Sequence, residues 1–182
     1  MDPLIGNANR GSVSTVSREP EGYSCRFDAA SSQKMVFGGN VSVTGERRTN
    51  TMSFWVKRGN VSTNTYIWEW GETDSNTLRM FCRFNSNNNF LNWNSSGANF
   101  GLSTNAFIDQ SAWYHVVLSC DTDPATPVMK MWVNGLLNNT SNFTNSTDVL
   151  TGFGSDENHT LGWSDVDNTG YFDGYIAEFH AV

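Results

Sequence analysis

From Ser24 onward, apolar residues recur at every second position in short runs, and Gly, Asn, Asp or Pro closes each run. In Thr51-Met52-Ser53-Phe54-Trp55-Val56-Lys57, the residues Met52, Phe54 and Val56 fall on one side of a strand, and Ser53, Trp55 and Lys57 on the other. The same split sets Leu78, Met80 and Cys82 against Arg79, Phe81 and Arg83. It sets Tyr114, Val116, Leu118 and Cys120 against Trp113, His115 and Ser119, and Met129, Met131 and Val133 against Lys130 and Trp132. Each run has one fully apolar face and one mixed face, as expected of a strand covering a core on one side only. The pattern predicts strands near 24–28, 33–37, 51–58, 65–70, 77–84, 89–93, 113–121, 127–134, 159–163 and 172–180. Between them no helical period of convincing length occurs. The expected fold is all-β: a two-sheet antiparallel jelly-roll sandwich with layers about 10 Å apart. An immunoglobulin domain fits less well, because its Cys–Trp–Cys pattern is missing.

Turn chemistry agrees. Val133-Asn134-Gly135-Leu136 places Asn-Gly between apolar residues, a strong hairpin signal. Asp121-Thr122-Asp123-Pro124 leaves one strand, and the Asn85–Asn89 cluster separates Phe84 from Phe90. Two polar, Asn-rich stretches, 94–112 and 138–158, read as long loops, the usual carriers of function in all-β domains. Residues 1–23 are different. Leu4, Ile5, Val13, Val16 and Tyr23 follow neither period, and Pro20 closes the segment, so an extended N-terminal arm precedes a sandwich over 24–182.

Composition sharpens this picture. Asn, Ser, Thr and Gly supply 75 of the 182 residues, favouring turns and strand edges over helix interiors. Aromatic residues make up 13%, which excludes disorder through lack of apolar surface. A net charge of −7 argues against nucleic acid, whose phosphates call for clustered Lys and Arg. No run is long and apolar enough to cross a membrane, and the first residues lack the basic start and apolar stretch of a secretory signal. The cysteines Cys25, Cys82 and Cys120 have no metal-type spacing and each falls in an expected strand, where a free Cys acts as a small buried hydrophobe. A Cys25–Cys120 bridge is the rival. With no signal and this much Asn, Ser and Thr, sequons such as Asn40, Asn60, Asn94 and Asn142 are expected by chance, in a chain made and kept reduced in a cytoplasm.

Six motifs in order carry a family resemblance: Cys25-Arg26-Phe27-Asp28, Ser53-Phe54-Trp55-Val56-Lys57-Arg58, Trp113-Tyr114-His115-Val116-Val117, Trp132-Val133-Asn134-Gly135, Leu161-Gly162, and Tyr171-Phe172-Asp173-Gly174-Tyr175-Ile176-Ala177-Glu178. From about residue 24 to 180 the chain resembles the laminin-G-like branch of the concanavalin A-like lectin/glucanase superfamily. The stretch Phe172–His180 is similar in particular to tail-fibre and other virion proteins of marine bacteriophages. Most motif residues have a scaffold reading: Asn134-Gly135 a turn, His115 a hydrogen-bonded strand residue, Gly174 a close backbone approach or bulge.

Because the superfamily includes glucanases, hydrolysis must be tested. Glucanases of this fold carry two carboxylates on one strand as Glu-x-Asp-x-x-Glu. Glu72-x-Asp74 matches the first half, but Thr77 stands in place of the second Glu and the surrounding residues read as a turn. No nucleophile-elbow sequence occurs, so the expectation is a non-enzyme.

A glycan site would need rings for stacking and polar groups for hydroxyls. The mixed faces offer Trp55, Arg79, Phe81, Arg83, Lys130 and Trp132. The resemblance implies a calcium ion at the sandwich rim, for which Asp121 and Asp123, or Asp165 and Asp167, are candidate oxygen donors. It also implies a phage virion surface protein, assembled in the host cytoplasm, with other capsid or tail proteins and cell-surface or environmental glycans as partners. Leu4, Ile5, Arg10, Val13 and Val16 of the arm would anchor it. A decoration protein that only braces its neighbours is the alternative, and self-association stays open.

Overall fold

The computed structural model describes residues 22–37, 48–61, 63–71, 79–87, 89–95, 98–122, 128–138 and 158–182. Twelve strands occur among them: β1 (Ser24–Phe27), β2 (Met35–Phe37), β3 (Thr49–Arg58), β4 (Thr65–Trp70), β5 (Met80–Phe84), β6 (Phe90–Ser95), β7 (Ala98–Ala106), β8 (Tyr114–Asp121), β9 (Val128–Val133), β10 (Leu136–Leu137), β11 (His159–Leu161) and β12 (Gly174–Ala181). The helical element among these residues is a 3-10 turn over Ala29–Ser31, capped by the Asp28 carboxylate, which accepts from the Ala30 N–H.

The strands form two antiparallel six-stranded sheets. The first runs β1-β12-β3-β8-β9-β10, the second β2-β11-β4-β5-β6-β7. Neighbours in space are often distant in sequence, as where β12 lies between β1 and β3. Register follows the alternation: Met52 faces Leu118, Phe54 faces Val116, and Leu118 faces Met131. Those inward rows meet Trp68, Trp70, Met80, Cys82, Phe84, Leu91 and Trp93 of the second sheet in one shared apolar core. Burial of this side and partial exposure of the other fix the register, since a one-residue slip would turn Met52, Phe54 and Val56 to water. The expected all-β sandwich is the observed one.

Some details differ from the sequence reading. The stretch 94–112 contains a nine-residue strand, β7, at the edge of the second sheet. Its pairing with β6 is interrupted by register shifts, which blurs the alternation the pattern relies on. Cys82 and Cys120 are fully buried, but Cys25 is exposed because β1 is an edge strand; all three thiols are free. Asn134 and Gly135 both take positive φ, +52° and +78°, joining β9 to the short β10 as the Asn-Gly pair predicts. Gly174 has φ +148°, and a Cβ there would lie 2.1 Å from the Lys57 carbonyl oxygen, so β12 meets β3 at a position only glycine fits.

Candidate functional site

The six residues expected to meet a glycan divide between the two outer faces of the sandwich. Trp55 on β3 and Lys130 and Trp132 on β9 lie on the outer face of the first sheet. Arg79, just before β5, and Phe81 and Arg83 on β5 belong to the outer side of the second.

On the first sheet, Trp55 stands opposite His115 of β8, and Trp132 opposite Val117. These positions are two strands and one pleat apart, about 12 Å by strand geometry. Both indoles are partly exposed and Lys130 is exposed. The Trp55 ring lies against the His115 imidazole, centroids 4.9 Å apart and tilted by 34°. The imidazole is also held by Ser53 of the same strand as Trp55: His115 Nε2 and Ser53 Oγ are 3.0 Å apart. The His115 backbone N–H donates to Asn134 Oδ1 at 2.8 Å, which ties the hairpin turn to β8. Burial pushes His115 below the usual histidine range, with the Glu178 charge opposing the shift. Trp113 and Tyr175 extend the face along the next row, ring centroids 6.2 Å apart, with the Arg26 guanidinium 5.2 Å over the Tyr175 ring. The result is a face of partly exposed, mutually tilted rings, interspersed with Ser53, Lys57, His115 and Lys130. Such a surface can stack on the apolar faces of pyranose rings and hydrogen-bond their hydroxyls.

The second sheet corrects an expectation. Arg79 and Phe81 are each only 7% exposed, so neither is free to meet a large ligand. The cause is Glu69, 2% exposed in the middle of β4. Its carboxylate accepts from Arg79 Nε at 2.8 Å, from Ser164 Oγ at 2.9 Å, and from the backbone N–H groups of Asp165 and Val166 at 2.9 and 3.0 Å. The segment around Ser164–Asp167 is thereby drawn onto the sheet face and covers Arg79. Asp167 completes the clamp by accepting from Arg79 Nη2 at 2.9 Å and from the Tyr66 hydroxyl. Hydrogen bonds from Arg79 and Tyr66 hold the Asp167 carboxyl below the usual aspartate range despite its partial burial. Burial together with the Asp167 contact raises the Tyr66 phenol. Sequence reading did not single out Glu69, Tyr66 or Ser164. The available signal was a lone acid inside Tyr66-Ile67-Trp68-Glu69-Trp70, since a charge amid buried aromatics must be paired.

The same clamp bears on calcium. Asp167 faces a guanidinium and Asp165 Oδ2 accepts from the Asn158 amide at 3.0 Å, so this pair does not present a converging set of oxygen donors. Asp121 Oδ1 accepts from the Thr49 hydroxyl at 3.4 Å, and Asp123 lies outside the described residues. Among the described residues no group of three or more acidic, His or Cys side chains converges as a metal would require. Glu72, Asp74 and Thr77 of the glucanase test, and Leu4, Ile5, Arg10, Val13 and Val16 of the arm, also lie outside the described residues.

Comparison with known proteins places this architecture. Of solved structures, 73 chains match. A carbohydrate binding protein from Bacteroides ovatus is similar at a TM-score of 0.56 and 15% identity, over 87% of this chain and 42% of its own. Domain 4 of the extracellular arabinanase AbnA from Geobacillus stearothermophilus, in complex with arabinotriose, matches at 0.51 and 19%, over 81% of both chains. The CBM40 of the Ruminococcus gnavus IT-sialidase, bound to α2,3-sialyllactose, matches at 0.52 and 15%, over 82% of this chain and 89% of its own. This chain thus spans less than half of the Bacteroides ovatus protein and nearly the whole of the other two domains. No curated protein matches by sequence. A laminin-G family model, described as concanavalin A-like lectin/glucanases superfamily, matches residues 27–182, and the chain belongs to that family.

Proposed function

We propose that this protein is a non-enzymatic glycan-binding sandwich that uses the outer face of its first sheet. The observation that carries the reading is the ring platform: Trp55 and Trp132 partly exposed on one sheet face, Trp55 packed on His115, which Ser53 holds in turn, and Lys57 and Lys130 among the rings. A rigid aromatic surface loses little side-chain entropy on binding and suits a flat polysaccharide chain. The similarity to solved domains that hold arabinotriose and sialyllactose supports the same class of ligand. Trp55→Ala and Trp132→Ala are each expected to weaken retention on the bound polysaccharide about tenfold, or about 1.4 kcal/mol. Unchanged retention in both variants contradicts the platform.

The finer reading places the domain on a phage virion, displayed through residues 1–23. It rests on the likeness of Phe172–His180 to virion proteins. On this reading, residues 24–182 alone no longer attach to particles, and full attachment of that fragment contradicts the anchoring role. Loss of particle attachment in the Trp variants, with glycan retention intact, would favour a bracing decoration protein instead. A rim calcium near Asp121 and Asp123 belongs to the same proposal and makes retention sensitive to a chelator.

A further inference from the structure

Among the described residues, the sheets end at β1 and β10 in the first and at β2 and β7 in the second. A strand edge left unguarded pairs with another chain, so edges are normally short, bulged, charged or covered. Three of these are guarded. β10 is two residues long, and the Asn138 that follows it accepts from Thr104 of β7 through both its side chain and its backbone carbonyl, which closes that side of the sandwich. β7 is rich in Asn, Ser, Thr and Gly and shifts register against β6. β1 carries Arg26, ion-paired with Asp173 at 2.7 Å. β2 has no such guard: Met35, Val36 and Phe37 are 38%, 47% and 44% exposed, and among the described residues β11 pairs with one side of it and no strand with the other.

Met35 stands opposite Leu161 and Phe37 opposite His159, on the side of the sheet that holds Trp68 and Trp70 of the core; Val36, opposite Thr160, is on the outer side. The core therefore reaches an open lip at β2, beside a groove of about 380 Å³ whose walls include Phe27 and Met35. The strand is apolar on both sides and is its own complement. Antiparallel pairing with a second copy, centred on Val36, sets Val36 against Val36 and Met35 against Phe37, so each apolar side chain meets another. Centring on Met35 instead sets Lys34 against Val36 and Gln33 against Phe37. We propose that β2 is a homodimer edge, through which two copies join their second sheets into one continuous sheet about a two-fold axis. Paired residues of an antiparallel sheet share a face, so the axis stands perpendicular to the sheet and both ring platforms face the same way. The dimer then offers one polysaccharide chain two platforms, a consequence that rests on the glycan reading, as the pairing itself does not.

The test is sedimentation velocity of the whole chain without glycan, in reducing buffer so that the exposed Cys25 forms no bridge. A contact this short belongs at the small end of interfaces, so the concentration series runs from about 1 to 500 µM. Expected is a reversible monomer–dimer equilibrium within that range. Val36→Lys and Val36→Glu each place like charges directly across the two-fold axis and should weaken the dimer about tenfold. Mixing the two variants puts lysine opposite glutamate and should restore dimerisation to about the wild-type strength. Val36 is half-exposed, so both variants should fold, and their melting temperatures check that. Trp55→Ala with Trp132→Ala should leave the equilibrium unchanged, so failure of the pairing and failure of the platform are separable. A chain that stays monomeric throughout, whether because its own residues or another partner cover β2, would overturn the proposal. So would a dimer indifferent to Val36→Lys, or a mixture of the two variants that pairs no better than either alone.

Discussion

Gly174 and Glu69 show how single residues fix this molecule. With the Lys57 carbonyl oxygen 2.1 Å from where a Cβ would stand and φ at +148°, Gly174→Ala must part β12 from β3. The expected loss is about 2–4 kcal/mol in denaturant unfolding. Glu69→Gln removes the charge facing Arg79 and one acceptor of the Ser164–Val166 clamp, and breaking a buried pair costs about 3 kcal/mol. The Asp167 carboxyl gives the pH signature. Its folded pKa lies below the ordinary value of 3.8, so its contribution is present above that value and is lost as pH falls through the depressed one. Stability should therefore drop below about pH 4 in the wild type, and more gently in Asp167→Asn, when melting is followed against pH. Gly174 was legible as a glycine in a strand. Arg79 and Phe81 were not legible as buried, because alternation reports which way a side chain points and not whether a distant loop lies over it.

At the scale of elements, β3, β8 and β9 were readable because each has one wholly apolar side, and their outward sides assemble the platform without any irregularity in register between β3 and β8. β7 was hidden because Asn, Ser, Thr and Gly dominate it and its pairing with β6 shifts register twice. The β9–β10 hairpin was announced by Asn134-Gly135, and the His115–Asn134 bond ties that turn to β8. Gly135 takes φ +78° with open space around a would-be Cβ, so Gly135→Ala meets strain but no clash. It should cost about 1 kcal/mol in stability and leave glycan retention within twofold, measured on the same preparation. His115→Ala, by contrast, removes the ring that backs Trp55 and should weaken retention with little change in fold.

Considered whole, the molecule is two sheets sharing one core and presenting two unlike outer faces. One is aromatic, with Lys57 and Lys130 among its rings. The other is crossed by a buried ion cluster, with Arg83 beside it. That division was not visible in the sequence, where Trp55, Arg83 and Trp132 read as one kind of residue in one kind of strand. Which strands share a sheet depends on long-range order such as β1-β12-β3, which alternation does not encode. The thiols report the same architecture: Cys25 should react at once with a thiol reagent in the native state, and Cys82 and Cys120 only on unfolding. The most direct measurement of the central claim is a glycan array probed with the wild type and with the Trp55→Ala/Trp132→Ala double variant, in calcium and again in chelator. The account predicts signal on a coherent class of sugars that the double variant loses, with chelator sensitivity only where a rim calcium contributes. Signal of undiminished strength from the double variant, or a blank array for the wild type in both buffers, would contradict it.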